Sequence, residues 1–219
     1  MNRRTFLLST AALATFGFAA SYFSSPRSGL PDLGISAANA QDAAIDVPVL
    51  TLGDPDAPVK IIEYASYTCP HCANFHTQVF EQLKADYIDT GMVHFTYREV
   101  YFDKFGLWAS MVARCGGDLR YFGIQKMLYD EQRDWIGSGK DAMEIVGNLR
   151  KIGKRAGLSD ENLDTCLNDG AMAQALVANF EKEVAEYEVN STPTLIIDGK
   201  KESNMSYTDL KKIIDAKLA

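Results

Sequence analysis

The sequence predicts an α/β domain in which a helical block separates two parts of one β-sheet. An apolar run at residues 59–64 is followed by Cys69-Pro70-His71-Cys72 and then by an amphipathic helical pattern at residues 74–89. From residue 107 to residue 188 the apolar spacing is mostly helical. The chain then returns to a short apolar strand and to Asp198-Gly199, a strong hairpin signal.

The elements before the helical block are strands and one helix. Residues 48–52 predict a short edge strand, and two prolines with two aspartates at residues 54–58 predict a turn. The apolar run that follows reads as a buried strand, and the helix that starts at Pro70 should stop before Gly91. Residues 92–100 alternate in part between apolar and polar, which indicates a second strand.

The helical block and the elements after it follow from apolar spacing and capping residues. Ser159 is a suitable N-cap, and Asn190 stands where a left-handed C-cap would fall. Helices are predicted at residues 107–114, 118–131, 141–156, 159–168, 171–188 and 207–218. Strands are predicted at residues 194–197 and 200–203.

The Cys69-Pro70-His71-Cys72 tetrapeptide stands at a strand-to-helix switch, which is typical of a thioredoxin-like redox motif. A helix N-terminus offers unpaired N–H groups and a positive dipole end, and both stabilise a thiolate, the reactive form of cysteine. Pro70 suits the first helical position, and His71 can add positive charge or a hydrogen-bond donor. We expect Cys69 to be the exposed nucleophile and Cys72 to be the more buried resolving thiol.

Two other interpretations of the cysteine pair stay open. With His76 the pair gives C-x-x-C-x-x-x-H, half of a zinc site, although zinc needs four ligands and Cys115 and Cys166 stand far apart. An inert structural disulfide is the other alternative. We predict no metal and no cofactor, and we expect His76 on the polar face of its helix and His94 on a strand surface.

The N-terminus predicts an exported protein. Arg3 and Arg4 precede an uncharged stretch at residues 5–23, and Ala38-Asn39-Ala40 is a cleavage signal. We therefore assign residues 1–40 to a signal peptide cleaved after Ala40, of either twin-arginine or general secretory type, with an uncleaved anchor as the alternative. The resulting compartment would be oxidising, and the net charge of −7 argues against nucleic acid as a partner.

The combination of these features resembles the DsbA family of periplasmic thiol:disulfide oxidoreductases. The strand, Cys-x-x-Cys and helix stand at one end, Thr192-Pro193 precedes a strand at the other, and Pro70-His71 is the dipeptide typical of DsbA. The resemblance covers roughly residues 59–218. It implies a thioredoxin-like domain from residues 59–104 and 189–219, a leader and edge strand at residues 41–58, and an inserted helical domain at residues 105–188.

The resemblance also implies roles for residues outside the tetrapeptide. The Thr192–Pro193 bond would be cis and would present its backbone to an extended substrate peptide. Glu63 matches the acidic residue that DsbA proteins keep beneath the active site, where it aids proton transfer to the buried thiol. The alternative places Glu63 at an outward-facing edge, and it stays open whether Arg98, beside Tyr97, replaces the basic partner of that acid.

Two further sets of residues complete the sequence predictions. In an exported protein the remaining cysteines more often pair than stay free, so we expect a structural disulfide between Cys115 and Cys166. Tyr67, Phe75 and Trp108 could form an apolar surface for unfolded substrates or belong in part to the core.

The function that the resemblance implies is that of a monomeric dithiol oxidase. It would donate the Cys69–Cys72 disulfide to exported proteins and would be reoxidised by a DsbB-like membrane protein. A disulfide isomerase or reductase kept reduced by a membrane electron donor is the first alternative. The second alternative is a binding module or holdase that binds substrate proteins in the groove beside the cysteine pair without turnover.

Overall fold

A five-stranded sheet forms the centre of the structure, a computed structural model that describes residues 45–139 and 141–219. The strand order is β1-β3-β2-β4-β5, with β2 parallel to β3 and the other neighbours antiparallel. The strands are β1 (Leu50–Leu52), β2 (Val59–Ala65), β3 (Val93–Glu99), β4 (Thr194–Ile197) and β5 (Lys200–Ser203). This mixed sheet with helices confirms the predicted α/β fold class.

The burial of each strand explains its position in the sheet. The central strand β2 is apolar along most of its length, and Val59 and Ile61 are fully buried. In β3 every second residue is buried, as a strand with one face on the core requires. Asp198 and Gly199 both have positive φ, 47° and 82°, so they form the tight turn that joins β4 to β5.

The helix after the cysteine pair begins at Pro70 and ends before Gly91, as predicted, but it is not uniform. It runs through α1 (Pro70–Phe75), a π-helical segment (His76–Phe80), α2 (Glu81–Leu83) and a second π-helical segment (Lys84–Ile88). Wider π-turns change which residues share a face of the helix. The apolar periodicity of the sequence did not indicate these two segments.

Between β3 and β4 the described residues form six α-helices. They are α3 (Lys104–Cys115), α4 (Asp118–Asp130), α5 (Gln132–Ile136), α6 (Ala142–Arg155), α7 (Asp160–Leu167) and α8 (Gly170–Glu186). Ser159 caps α7, as predicted, in a capping box with Asn162. The short helix α5 was missed because five residues are too few to show a period. The last helix is α9 (Tyr207–Leu218).

The prediction of a left-handed C-cap at Asn190 is wrong. Helix α8 ends at Glu186, two residues earlier than predicted, and Glu188 adopts the positive φ of 50°. The Val189 N–H donates to the Val184 carbonyl, and the Glu188 N–H donates to the Ala185 carbonyl. This is the hydrogen-bond pattern of a Schellman motif, formed here by a residue with a side chain instead of glycine.

Buried side chains cover both faces of the sheet. One cluster includes Ile61, Phe95 and Cys72 with residues of α4 and α6, so the resolving cysteine lies inside the core. A second cluster joins Tyr64 and Ile196 to residues of α3 and α8. The boundaries 105–188 of the inserted domain stay a prediction.

The predicted signal peptide at residues 1–40, with cleavage after Ala40, lies outside the described residues. The same holds for the possible membrane anchor at residues 5–23. In the part of the chain that the structure describes, no helix combines the length and the apolar character needed to cross a membrane.

Cys115 and Cys166 form a disulfide between the end of α3 and α7. Their sulfur atoms are 2.13 Å apart, their Cα atoms are 5.8 Å apart, and they are separated by 51 positions in the chain. The pairing is the one expected from the sequence. It closes a loop that contains α4, α5 and α6.

We expect replacement of both cysteines by alanine to lower the free energy of unfolding by about 2–4 kcal/mol, because the disulfide restricts the unfolded chain. Urea denaturation of the double variant and the wild type measures the difference. Reduction of the Cys69–Cys72 pair alone serves as the control. Equal unfolding free energies in the double variant and the wild type would contradict this role.

Candidate active site

The cysteine pair stands at the start of α1. Cys69 is the N-cap with an extended backbone, Pro70 occupies the first turn, and the Ala73 and Cys72 N–H groups both donate to the Cys69 carbonyl. Both thiols are free in this structure. Cys72 is fully buried, and Cys69 is only 8% exposed. The expected order of burial is therefore present, but the expectation of an exposed Cys69 is wrong, because the loop that holds Thr192 covers it.

The pKa of the Cys69 thiol falls from its ordinary value to about 5. The hydrogen bond from the Cys72 thiol is the largest cause, and burial opposes it. Hydrogen bonds from Thr192 and from the backbone N–H groups of Cys72 and His71 lower the pKa further. His71 thus acts on the sulfur through its backbone, while its side chain is exposed. At neutral pH Cys69 is a thiolate, the reactive form.

The pKa of Cys72 moves in the opposite direction, well above its ordinary value. Burial is the largest cause, followed by the hydrogen bond that Cys72 donates to Cys69 and by the charge of Glu63. One thiol of the pair therefore ionises readily and the other keeps its proton. Such an asymmetric pair suits a reaction in which one sulfur leaves as a thiolate and the other takes up a proton.

The loop before β4 closes over the pair. The Thr192–Pro193 bond is cis, Pro193 is buried, and the Cys69 sulfur lies 3.5 Å from the Thr192 carbonyl oxygen. The Thr192 hydroxyl is buried without an oxygen or nitrogen partner among the described residues, and it lowers the pKa of Cys69. Strand β4 is buried along its whole length, which fixes the position of this loop.

Glu63 is fully buried in the central strand, so the outward-facing alternative is wrong. Its Oε2 atom lies 2.9 Å from His76 Nε2, and His76 is only 5% exposed. The prediction that His76 lies on a polar helix face is therefore wrong. His76 stands four positions after Cys72, and this spacing places both on the buried face of the helix. That spacing was the signal that could have identified His76.

Arg98 does not pair with Glu63. It contacts the Tyr64 hydroxyl, Glu183 at 3.3 Å and Glu186 at 2.6 Å, on the side of the sheet that faces α8. Tyr97 is paired with Glu63 in the register of β2 and β3. Because successive residues of β3 alternate, Tyr97 points to the face opposite to that of Arg98. The hydrogen-bonded partner of the buried acid in this chain is therefore a histidine.

Two of the three aromatic residues expected at a substrate surface belong to the core. Tyr67 is 1% exposed and Phe75 is 2% exposed. Trp108 is partly buried, packs edge-to-face on Phe105 at 5.6 Å, and has the Lys104 ammonium 5.5 Å from its ring centroid. Trp108 is the member of the predicted set that keeps exposed area.

Gln132 is a site residue that the sequence reasoning missed. Its side-chain Nε2 donates to the Tyr67 carbonyl and to the Cys69 carbonyl, each at 2.8 Å. The residue is 5% exposed and begins the short helix α5. It fixes the backbone on both sides of residue 68, directly before the reactive helix. A single glutamine without a motif carries no sequence signal for this role.

Comparison with known proteins agrees with this architecture. A family model described as thioredoxin matches residues 46–216. The chain belongs to the thioredoxin family. The crystal structure of Wolbachia pipientis α-DsbA1 superimposes with a TM-score of 0.70 and 26% identity, covering 78% of this chain and 92% of that one. This likeness confirms the DsbA-like resemblance inferred from the sequence.

Two further relatives carry names of activities. A putative protein-disulfide oxidoreductase of Rickettsia bellii is 33% identical over 172 residues, which are 78% of this chain and 65% of that protein. The chain thus spans slightly less than two thirds of this curated relative. A protein-disulfide isomerase from Novosphingobium aromaticivorans superimposes with a TM-score of 0.69 and 25% identity, covering 78% of this chain and 97% of that one.

We expect the Cys69 thiolate of the reduced protein to titrate near pH 5, followed by its absorbance at 240 nm. The variant Cys72→Ala should raise this pKa, because it removes the largest lowering cause. The matched variant Cys72→Ser keeps a hydrogen-bond donor, so the rise should be smaller. The same midpoint in all three proteins would contradict the role of the Cys72 hydrogen bond.

We expect Gln132→Leu to lower the free energy of unfolding by about 1–3 kcal/mol, because the Tyr67 carbonyl loses the Gln132 donor and the Cys69 carbonyl keeps only its backbone donors. Urea denaturation measures the loss. The exposed Gln78→Leu variant is the control and should stay within about 0.5 kcal/mol of the wild type. A Gln132→Leu protein as stable as this control would show that the two hydrogen bonds of Gln132 contribute nothing to stability.

Proposed function

We propose that this chain is a protein thiol:disulfide oxidoreductase that works as a dithiol oxidase. The observation that supports this most is the opposed ionisation of the pair, with the pKa of Cys69 at about 5 and that of Cys72 raised. A stabilised Cys69 thiolate favours the reduced form, so the disulfide form accepts electrons readily. The same thiolate is a good leaving group in disulfide exchange.

The proposed reaction starts from the Cys69–Cys72 disulfide. A substrate thiolate attacks the Cys69 sulfur, the Cys69–Cys72 bond breaks, and Cys72 leaves and takes up a proton. A second substrate thiolate then attacks the substrate sulfur of the mixed disulfide, and Cys69 leaves as a thiolate. Two electrons pass from the substrate dithiol to the enzyme. Of the two substrate protons, one equivalent ends on Cys72 and the other enters solvent.

The cis-proline loop is the proposed place for the substrate peptide. The Thr192 carbonyl lies 3.5 Å from the Cys69 sulfur, so a chain attached to Cys69 would run beside this backbone. An extended peptide can bind there by adding backbone hydrogen bonds like an extra strand. Trp108 supplies partly exposed apolar area for side chains of unfolded substrates.

Export to the periplasm and reoxidation by a DsbB-like membrane protein coupled to quinone complete the proposal. The Cys115–Cys166 disulfide supports an oxidising compartment, because disulfides persist there and are rare in the cytosol. The membrane partner rests on the DsbA resemblance. We further propose that the chain acts as a monomer.

A disulfide isomerase or reductase is the second candidate. The name of the Novosphingobium neighbour, a protein-disulfide isomerase at 25% identity, favours it. An isomerase has to keep Cys69 reduced in order to attack a wrong disulfide of its substrate. The two candidates therefore differ in the redox state that the pair holds at equilibrium.

The redox potential of the pair separates these candidates. We expect equilibration with glutathione buffers to give a value more oxidising than about −180 mV, the value of protein disulfide isomerase. The oxidised protein should also form a disulfide in a peptide with two cysteines, and Cys69→Ser should abolish that activity. A potential near about −270 mV, as in thioredoxin, would overturn the oxidase and point to a reductase.

The pH dependence of stability gives a second check on the reduced state. The folded pKa of Cys69 lies below the ordinary thiol value of 9.0. The resulting stabilisation of reduced protein is therefore full above pH 9 and is lost as the pH falls towards 5. We expect Cys69→Ser to remove this pH dependence, measured by urea denaturation at several pH values. If the unfolding free energy of the variant depends on pH as strongly as that of the wild type, the dependence arises from other groups.

A further inference from the structure

A buried histidine lies beneath the active-site helix in a position that the proposed reaction does not yet use. His76 Nε2 is 2.9 Å from Glu63 Oε2, and the two side chains are 5% and 0% exposed. The second carboxylate oxygen of Glu63, Oε1, is buried without a hydrogen-bond partner in the described part of the chain. Burial of a carboxylate is costly unless a partner compensates it, so the contact with His76 matters energetically.

Glu63 acts on the sulfur that changes its protonation. Its charge is among the causes that raise the pKa of Cys72, and Cys72 is fully buried. A proton that arrives at Cys72 or leaves it has to pass through neighbouring groups, since this sulfur has no exposed surface. Glu63 is a suitable first group, and His76 is hydrogen-bonded to it.

The imidazole ring is held firmly by aromatic neighbours. It stacks on Tyr129 with ring centroids 4.1 Å apart and an interplanar angle of 16°. The ring centroid of Phe80 lies 4.7 Å from that of His76, and the Tyr97 ring is nearly perpendicular to His76 at a centroid distance of 6.0 Å. The ring is thereby kept in the plane that directs Nε2 to Glu63.

The other side of His76 borders a cavity of about 320 Å³ that opens to the surface. Titratable groups face His76 from every side that packs against it. They are Glu63 on β2, Tyr97 on β3, Tyr129 on α4 and, around the cavity, Glu81, Lys84, Asp89, Lys126 and Asp130. The charged groups pair with each other near the rim, as Lys84 does with Asp89 at 2.7 Å.

The cavity lies apart from the proposed substrate groove. Its described lining residues include His76 and Tyr129 and do not include Cys69 or Thr192. The Cys69 sulfur instead contacts the Thr192 carbonyl. A peptide bound at the cis-proline loop would therefore leave this second opening free.

We propose that His76 is a positioning residue that holds Glu63 and passes one proton between Glu63 and water in this cavity. The proposal rests on the oxidoreductase function proposed above. It gives the buried resolving thiol a route for protons that stays open while substrate covers Cys69.

When the Cys69–Cys72 disulfide is reduced, the proton that Cys72 takes up passes through His76 and Glu63. Cys72 leaves Cys69 as a thiolate and takes the proton of the Glu63 carboxyl group. His76 then passes a proton from cavity water to Glu63, so that both side chains return to their starting state. In reoxidation each transfer runs backwards, and Cys72 attacks the Cys69 sulfur as a thiolate. His76 carries no electrons in either direction.

Reaction of the reduced protein with glutathione disulfide tests this route because it has two separable steps. The Cys69 thiolate attacks first and forms a mixed disulfide with glutathione. Cys72 then loses its proton, attacks the Cys69 sulfur and releases glutathione thiolate. Acid quenching and mass spectrometry count the mixed disulfide over time and give a rate for each step.

We expect His76→Phe to slow the second step at least about tenfold at pH 7, because it keeps the ring and removes the nitrogen. The first step should stay within about twofold of the wild type. His76→Gln, which keeps a donor for Glu63 but cannot exchange a proton, should show the same slow second step. Imidazole added to the buffer should restore part of the rate in both variants. His94→Phe is the matched control and should leave both steps unchanged.

Three results would overturn the proposal. They are a wild-type second step in His76→Gln, an equal slowing of both steps in the His76 variants, and a slow second step that imidazole does not accelerate. The test is separate from that of the oxidase function. A redox potential in the reductase range would overturn the oxidase, and the two rates would still decide the role of His76.

Discussion

The hydrogen bond between the Cys72 thiol and Cys69 is the interaction on which the chemistry of this site depends. It is the largest cause of the low Cys69 pKa, and it also contributes to the raised pKa of Cys72. The bond requires Cys69 at the N-cap and Cys72 on the same turn, which Pro70 and the start of α1 provide. Burial of Cys72 in the core then keeps the donor protonated. The loop that holds Thr192 packs against the same sulfur and lowers the pKa of Cys69 further.

The central strand connects that contact to the rest of the core. Glu63 is the buried acid of β2, and its pairing with His76 ties the strand to the middle of the active-site helix. The π-helical segment begins at His76 itself. Such segments are frequent at functional sites, where they re-aim side chains. The histidine and the resolving thiol thus lie on the inner face of one helix, and the acid faces the histidine from β2.

Much of the fold was predictable because local signals agreed with each other. The hairpin at Asp198-Gly199, the cap at Ser159 and the alternation in β3 each left a clear pattern. The resemblance to DsbA rested on the tetrapeptide and on Thr192-Pro193, which are also local.

The predictions that failed concern contacts between distant parts of the chain. The burial of His76 depends on Tyr129, which lies 53 positions later in the sequence and stacks on its ring. The expectation of an exposed Cys69 failed because the loop that covers it, at Thr192, lies 123 positions later in the sequence. Gln132 carries no motif, and its role exists only once α5 meets the carbonyls before α1. Periodicity reports which face of an element is apolar, but it does not report what that face meets.

The Gln132 bridge has a consequence for how this fold can be modified. The inserted helices do not merely cover the catalytic unit, because one of their side chains supplies the donor for two carbonyls of the loop before Cys69. The Tyr67 hydroxyl likewise has its partner, Tyr121, on an inserted helix at 2.7 Å. In a shortened protein without these helices, the Tyr67 carbonyl and the Tyr67 hydroxyl would lose these partners, and the Cys69 carbonyl would keep only its backbone donors. The insertion and the reactive loop are therefore coupled, and an exchange of either part has to preserve these hydrogen bonds.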